Sequence, residues 1–292
     1  MRFFLILVVG YRVESGEMRI LREGEREIIN FSGGVVITDT NILINSPAAL
    51  YYQQEGFMEL SGPVSGVQGT RNLKCRSARL YENEKIFKGY GGCEVFGAGE
   101  YLRCDSVILH ENDVQAFGEV FLKSDKDSIE AGGRELNIKE NYLSAEGDAF
   151  LKYPGDDSLV LFSQSYIYKD SILTAWFGVK VYSQSFEGEG DSLEYKRNLR
   201  FAILMGHANA KNSTNLIKGD TIFMFLTEDN KMDSSIVISK ASILNYENSN
   251  EMFLEGDTLY FYTEGTDSLK WFKAFNVEGY YKEGVQDGSP QN

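Results

Sequence analysis

The chain has 292 residues, 42% of them hydrophobic and 13% aromatic, with 29 glycines against 4 prolines; that composition supports a core with many tight turns and excludes a Pro-rich linker. A formal charge of -14 and a pI near 4.7 exclude a nucleic-acid backbone or an anionic bilayer surface as the main partner. Three cysteines cannot close a disulfide framework, and their spacing fits no paired C-x-x-C zinc signature.

The opening stretch MRFFLILVVGYRVES couples an Arg to a short apolar run and then polar sequence, as in the hydrophobic region of a secretory signal. It is too short to cross a bilayer. Residues 1–15 are therefore a candidate signal segment, with a first β-strand as the alternative.

Beyond it the chain repeats. RNLKCRSARLYENEKIFKGYGGCEVF lies over EYLRCDSVILHENDVQAFGEVFLKSD after a shift of 29 residues, placing Cys75 on Cys104, Leu73 on Leu102 and Leu80 on Leu109. Taking Asp105 as reference, equivalents fall at Ser46, Arg76, Gly132, Ser163, Asp191, Asp220 and Asp257, which gives eight copies. Four residues after the reference come Leu50, Leu80, Leu109, Leu136, Ile167, Tyr195, Met224 and Phe261, an apolar set expected to face a core. Two residues after it, Val107, Leu193, Ile222 and Leu259 are apolar, whereas Arg134 and Ser165 depart from the pattern. Three before it stand Leu73, Leu102, Ile129 and Ile217. Spacing is two within each half and slips by one between the halves, as a bend or bulge requires.

Polar clusters such as QQEG, ENEK, HEND and TEDN follow each core position, and a glycine then returns before a short apolar strand. Each copy is thus two strands, and no stretch keeps a 3.6 period with caps. A single hairpin cannot bury its apolar face, but stacked copies can. The expected fold is all-β: an elongated, twisted β-jellyroll or solenoid of about 16 antiparallel strands from eight two-strand repeats. It forms one domain over residues 16–281, with 282–292 as a disordered tail. The last step, 37 residues, implies an insertion near ENSNEMF.

Motifs with catalytic chemistry do not emerge. His110 and His207, the two histidines, lie in polar stretches. Asp125 and Asp127 open like a calcium loop, but Glu130 stands where that loop needs Gly. Glu187, Glu189 and Asp191 could form a glycosidase pair, although solvated turns are the commoner origin of such acids. Asn212-Ser213-Thr214 fits a glycosylation acceptor. Cys75 and Cys104 share a repeat position and are expected as near neighbours, either as buried thiols or as a cross-strand disulfide.

LRCDSVILHENDVQAFGEVFL, GDSLEYKRNLRFAILMG and EGDTLYFY resemble the repeats of the LptA/OstA family. The likeness runs over about residues 30 to 281. It implies a periplasmic β-jellyroll, shared with LptC and the N-terminal part of LptD, that carries lipopolysaccharide or a related glycolipid toward the outer membrane. Acyl chains would lie in the apolar interior, with Leu50, Leu73, Leu80, Leu102, Val107, Leu109, Ile129, Leu136, Ile167, Leu193, Tyr195, Ile217, Ile222, Met224, Leu259 and Phe261 as candidate lining. Plain core packing accounts for each of these equally well. The implied partners are the glycolipid and homologous jellyrolls of the LptC or LptD kind, or a second copy joined by end-to-end strand pairing, with no nucleic acid. No enzyme activity, cofactor or metal is implied. The alternative is a cell-surface β-solenoid for polysaccharide processing or adhesion.

Overall fold

The computed structural model describes residues 4–8, 11–24, 26–153, 159–229, 231–247, 250–264 and 268–283. The fold is all-β, and the chain divides into two compact units, Met1–Ala145 and Glu146–Asn292. The first holds β1 (Phe4–Val8), β2 (Tyr11–Glu23), β3 (Arg26–Thr38), β4 (Ile42–Tyr52), β5 (Phe57–Ser61), β6 (Val64–Gln68), β7 (Arg71–Cys75), β8 (Ser77–Tyr81), β9 (Ile86–Gly97), β10 (Glu100–His110), β11 (Asp113–Ser124) and β12 (Ile129–Lys139). The division falls within β13 (Tyr142–Tyr153). The second unit continues with β14 (Leu159–Lys169), β15 (Ile172–Tyr182), β16 (Glu187–Lys196), β17 (Phe201–Lys211), β18 (Asn215–Leu226), β19 (Met232–Glu247), β20 (Asn250–Tyr262), β21 (Trp271–Phe275) and β22 (Glu278–Lys282).

Within each unit, neighbours in the chain pair antiparallel, as in β9–β10–β11–β12 and in β14 through β20. The expected 16 strands become 22 among the described residues. Part of the excess is division at a bend: β5 with β6, β7 with β8 and β21 with β22 are halves of single bent strands. The rest is β1, β2 and β3, which precede the first predicted copy. Their corner is Gly16, and Gly carries no polar signature to betray it.

The bend is visible in the registers. Between β10 and β11 the pairing skips from Arg103↔Phe121 to Ser106↔Phe117, and equivalent slips recur in the middle of the other long pairs. One strand contributes a single unpaired outward residue: Gly16, Pro47, Arg76, Asp105, Arg134, Gln164, Asp191, Asp220 or Asp257. Its neighbour contributes two, commonly with positive φ, as at Gly33-Gly34, Gly206-His207 and Ser239-Lys240. Gly118 and Gly206 lie beneath the carboxylates of Asp105 and Asp191, where a Cβ would collide. This two-against-one bulge turns the strand sharply.

The corner frame corrects the predicted register in three copies. Ser46 and Ser163 are not the outward residue but the buried one before it, and Gly132 stands two places ahead of the corner Arg134. Inward positions are therefore Ala49 and Tyr51 rather than Leu50, and Tyr166 rather than Ile167. Arg134 is exposed at a corner, like Arg76, so it does not interrupt the interior. The residue just inside each corner is always small: Ser15, Ser46, Cys75, Cys104, Gly133, Ser163, Gly190, Gly219 and Gly256. The concave side of a bend has no room for more. At three of these positions a hydroxyl also secures the bulge, Ser15, Ser46 and Ser163 donating to the carbonyls of Glu17, Ala48 and Ser165 at 3.0, 2.8 and 3.0 Å.

Bending creates two half-sheets whose inner faces meet, so that alternate residues on both sides of every corner are buried. At Gly188 an added Cβ would strike Val181 on the next strand and Leu204 on the facing half-sheet. The insertion predicted before the last copy lengthens one hairpin, pairing Tyr246 with Glu251 and Glu247 with Asn250. In the N-terminal region, Phe4–Val8 pair with Ser15–Tyr11, and Tyr11 and Val13 are buried. Of the predicted tail, Lys282 ends β22 and residues 284–292 lie outside the described residues.

Candidate functional site

In each unit the half-sheets end in two rows of turns, and the edge between those rows is a seam. Half-sheet I ends at turns such as 39–41, 69–70 and 98–99; half-sheet II ends at turns such as 53–56, 82–85 and 111–112. In the first unit a cleft of about 40 Å³ lies between them, lined from half-sheet I by Ile42, Ile44, Leu73 and Val95 and from half-sheet II by Leu80, Phe87 and Leu109. Gln68, Arg71 and Lys85, at strand ends, give it a polar rim. Such a volume holds about one water and no acyl chain.

The second unit has a narrower cleft of about 10 Å³ among Ala210, Asn215, Ile217, Ile243, Met232, Phe261, Thr263 and Leu269. Buried amides edge it: Asn245 Nδ2 donates to Asn215 Oδ1 at 2.7 Å, and Asn215 Nδ2 to Asn212 Oδ1 at 3.1 Å. Thr263 Oγ1 donates to the Met232 carbonyl at 2.5 Å. These groups went unnoticed in the sequence because Asn and Thr near turns read as surface. Toward β14 the seam is bridged by Tyr153, from half-sheet I, whose ring meets Tyr168 of half-sheet II edge-on with centroids 6.3 Å apart. The Arg197 guanidinium caps the Tyr153 ring at 4.6 Å. Burial pushes the Tyr153 and Tyr166 phenols well above their ordinary values. Among the described residues the Tyr166 hydroxyl has no hydrogen-bond partner, which leaves a polar atom inside the apolar interior.

Of the sixteen candidate lining residues, thirteen are buried; Leu50, Leu109 and Ile167 are half-buried. Leu109 owes its exposure to the first unit's cleft, which it shares with Leu73 and Leu80. Ile217 and Phe261 share the second. The others are spread along the inner faces of the two units.

The remaining motifs resolve into surface or core. His110 is exposed, and His207 sits at a corner with Nδ1 3.1 Å from Asp191 Oδ2. Glu187 pairs with Lys211 at 2.8 Å and Glu189 with Lys180 at 3.6 Å, so each of these exposed acids faces a cation. Asp127 accepts a hydrogen bond from Ser124 at 3.0 Å. Asn212 Oδ1 accepts backbone N–H groups of Thr214 and Asn215, making a turn.

Cys75 and Cys104 are not on adjacent strands. β9 runs between them, and its Cys93 is the direct partner of Cys104 and follows in register opposite Cys75. All three thiols are free and buried. Hydrogen bonding to Cys104 and Cys75, reinforced by burial, pushes the Cys93 thiol up, so it keeps its proton. Repeat position aligned two of the three cysteines but was blind to the third, which lies on the alternate strand of its copy.

No family model matches the chain, and no curated protein sequence matches it. Among solved structures it is similar to LptH of Pseudomonas aeruginosa, described as the LptA-homologous periplasmic component of the conserved lipopolysaccharide transport device. Identity is 16%, with 34% of this chain and 76% of that chain covered and a TM-score of 0.31. A likeness so slight decides nothing about function.

Proposed function

We propose that this chain is a non-enzymatic carrier of a glycolipid of the lipopolysaccharide type, exported to the periplasm and working toward an outer membrane. The observation that carries this reading is the first unit's seam, where an apolar cleft with Leu73, Leu80 and Leu109 in its walls ends in a rim of Gln68, Arg71 and Lys85. Acyl chains need only apolar area, stabilised by about 25 cal/mol per Å² removed from water. A charged or sugar headgroup needs polar groups at the boundary, and Arg71 and Lys85 attract phosphate. Because the resting cleft is so small, loading requires the two rows of turns to part. Among the described residues the strand pairs lie within one half-sheet or the other, so that movement breaks none of them. Partners on this reading are the glycolipid and another jellyroll, taken up by strand addition.

Photo-crosslinking in cells tests it, with the photoreactive residue at Leu80, Leu109 or Ile217 and, as controls, at the turn residue Asn112 and the outward-facing Ile167. Adducts with lipopolysaccharide at the seam positions alone support the carrier. Folded, exported protein without adducts at any of the three defeats it.

A further inference from the structure

The outer face of half-sheet II in the second unit is apolar where a solvated sheet face should be polar. Its register is unbroken over five strands: Ile203, Phe223, Ile236, Tyr260 and Lys273 stand side by side from β17 to β21. A parallel row holds Phe201, Phe225, Tyr262 and Trp271, with Ser234 between. Aromatic contacts run along the second row, Phe201–Phe225 at 5.0 Å and Tyr262–Trp271 at 5.7 Å, and Phe201–Phe223 at 6.2 Å ties the two rows together. Of the fifteen outward positions on these strands, eleven are apolar, three are Ser or Thr, one is Lys273 and none is acidic, in a chain with 43 Asp and Glu.

We infer that this face docks on the interfacial region of an electrically neutral lipid bilayer. Three observations choose the bilayer over other occupants. With strands about 4.8 Å apart and about 3.4 Å per residue, the patch measures on the order of 450 Å². Two copies packed face to face would bury roughly 900 Å², less than the 1,200 Å² at which stable interfaces begin. Residues 284–292, GVQDGSPQN, offer one aliphatic side chain against eleven apolar ones on the face. Third, the chemistry is graded: Phe and Ile fill the middle, while Tyr262 and Trp271, with an apolar body and a polar tip, mark one margin beside Lys273. Leu199, 70% exposed in the turn before Phe201, extends the same margin. The net charge of -14 weakens docking on anionic lipid, so apolar contact, not attraction, drives the association. The inference does not require the seam to open.

The experiment uses the full chain with Trp176→Phe, which leaves Trp271 as the one tryptophan of two. Flotation with phosphatidylcholine vesicles should carry the protein upward, largely independent of salt, with Trp271 emission moving to shorter wavelength and quenched by brominated acyl chains. Phe225→Asp with Ile238→Asp, both at exposed positions, should lower partitioning at least about tenfold, the equivalent of 1.4 kcal/mol. Ile108→Asp, on the matching face of the first unit, should leave it unchanged. Protein remaining in the aqueous fraction overturns the proposal. So does a concentration-dependent dimer that shields Trp271 without vesicles, or a well-folded double variant that floats like the parent. Quenching in the parent protein decides the case even if the double variant fails to fold.

Discussion

The two units are alike inside and unlike outside. On the outer face of half-sheet II, β8 to β12 present Arg79, Lys88, Asp113, Glu135 and Lys139 among five apolar side chains, a mixture fit for water. The equivalent face on β17 to β21 has one charge and eleven apolar residues. Inside, both units alternate Leu, Ile, Val and Ala against small residues at the corner. The inner pattern is therefore what the fold demands of every copy, and the outer pattern is free to carry whatever distinguishes one copy from another.

The largest effect should come from breaking what the units share. Gly188→Val, which drives a side chain into Val181 and Leu204, should destabilise by about 3 kcal/mol or more, lowering the urea midpoint without restoring a native emission spectrum. Truncating one fully buried leucine in each unit, Leu136→Ala and Leu204→Ala, should cost about 2–5 kcal/mol apiece in denaturant titration. Similar costs would show that the interiors are equivalent; a neutral Leu204→Ala would mark the second interior as loose.

The corner makes a smaller, paired test. Ser46→Ala and Ser163→Ala each remove one hydroxyl from a bulge and should cost about 1 kcal/mol. Alkaline titration separates the units further. Burial, with a hydrogen bond to Glu82, pushes the Tyr51 phenol up to about 12. The unfolded chain ionises this group from about 10 upward, while the folded chain holds the proton. Its contribution to stability is thus complete below pH 10 and is lost as pH rises toward 12. Tyr51→Phe should flatten the fall in melting temperature across that window. The smallest expected change is on the distinguishing face: Phe223→Gln with Ile236→Thr should shift stability by about 1 kcal/mol or less, yet sharply reduce binding of an apolar dye. The matching pair in the first unit, Ile108→Gln with Gln115→Thr, should leave dye binding as it was.

Much of this architecture was legible in the chain. The step near 29, the period of two within each half and the slip of parity between halves led to bent strands in stacked copies, and thirteen of sixteen proposed interior residues are buried. Two of the errors share one source. In copies led by Ser46 and Ser163, a small polar residue was aligned with Asp105, although Pro47 and Gln164 hold the corner. Small residues suit both the tight inner side of a bend and its solvated outer side, so residue type could not choose between neighbours one place apart. That slip reversed Leu50 and Ile167. The seam residues were harder still: Arg71, Lys85, Asn215 and Thr263 read as ordinary turn flanks.

By itself the sequence determined the all-β class, the copy number from residue 43 onward and the alternation of inner and outer side chains, because periodicity is a local property of backbone geometry. Tertiary structure decided which residue occupies each corner, that Cys93 lies between Cys75 and Cys104, which side chains share a cleft across the seam, and that outward aromatics from five strands form one surface. Each of those depends on strand register and on the approach of two half-sheets, where residues tens of positions apart become neighbours.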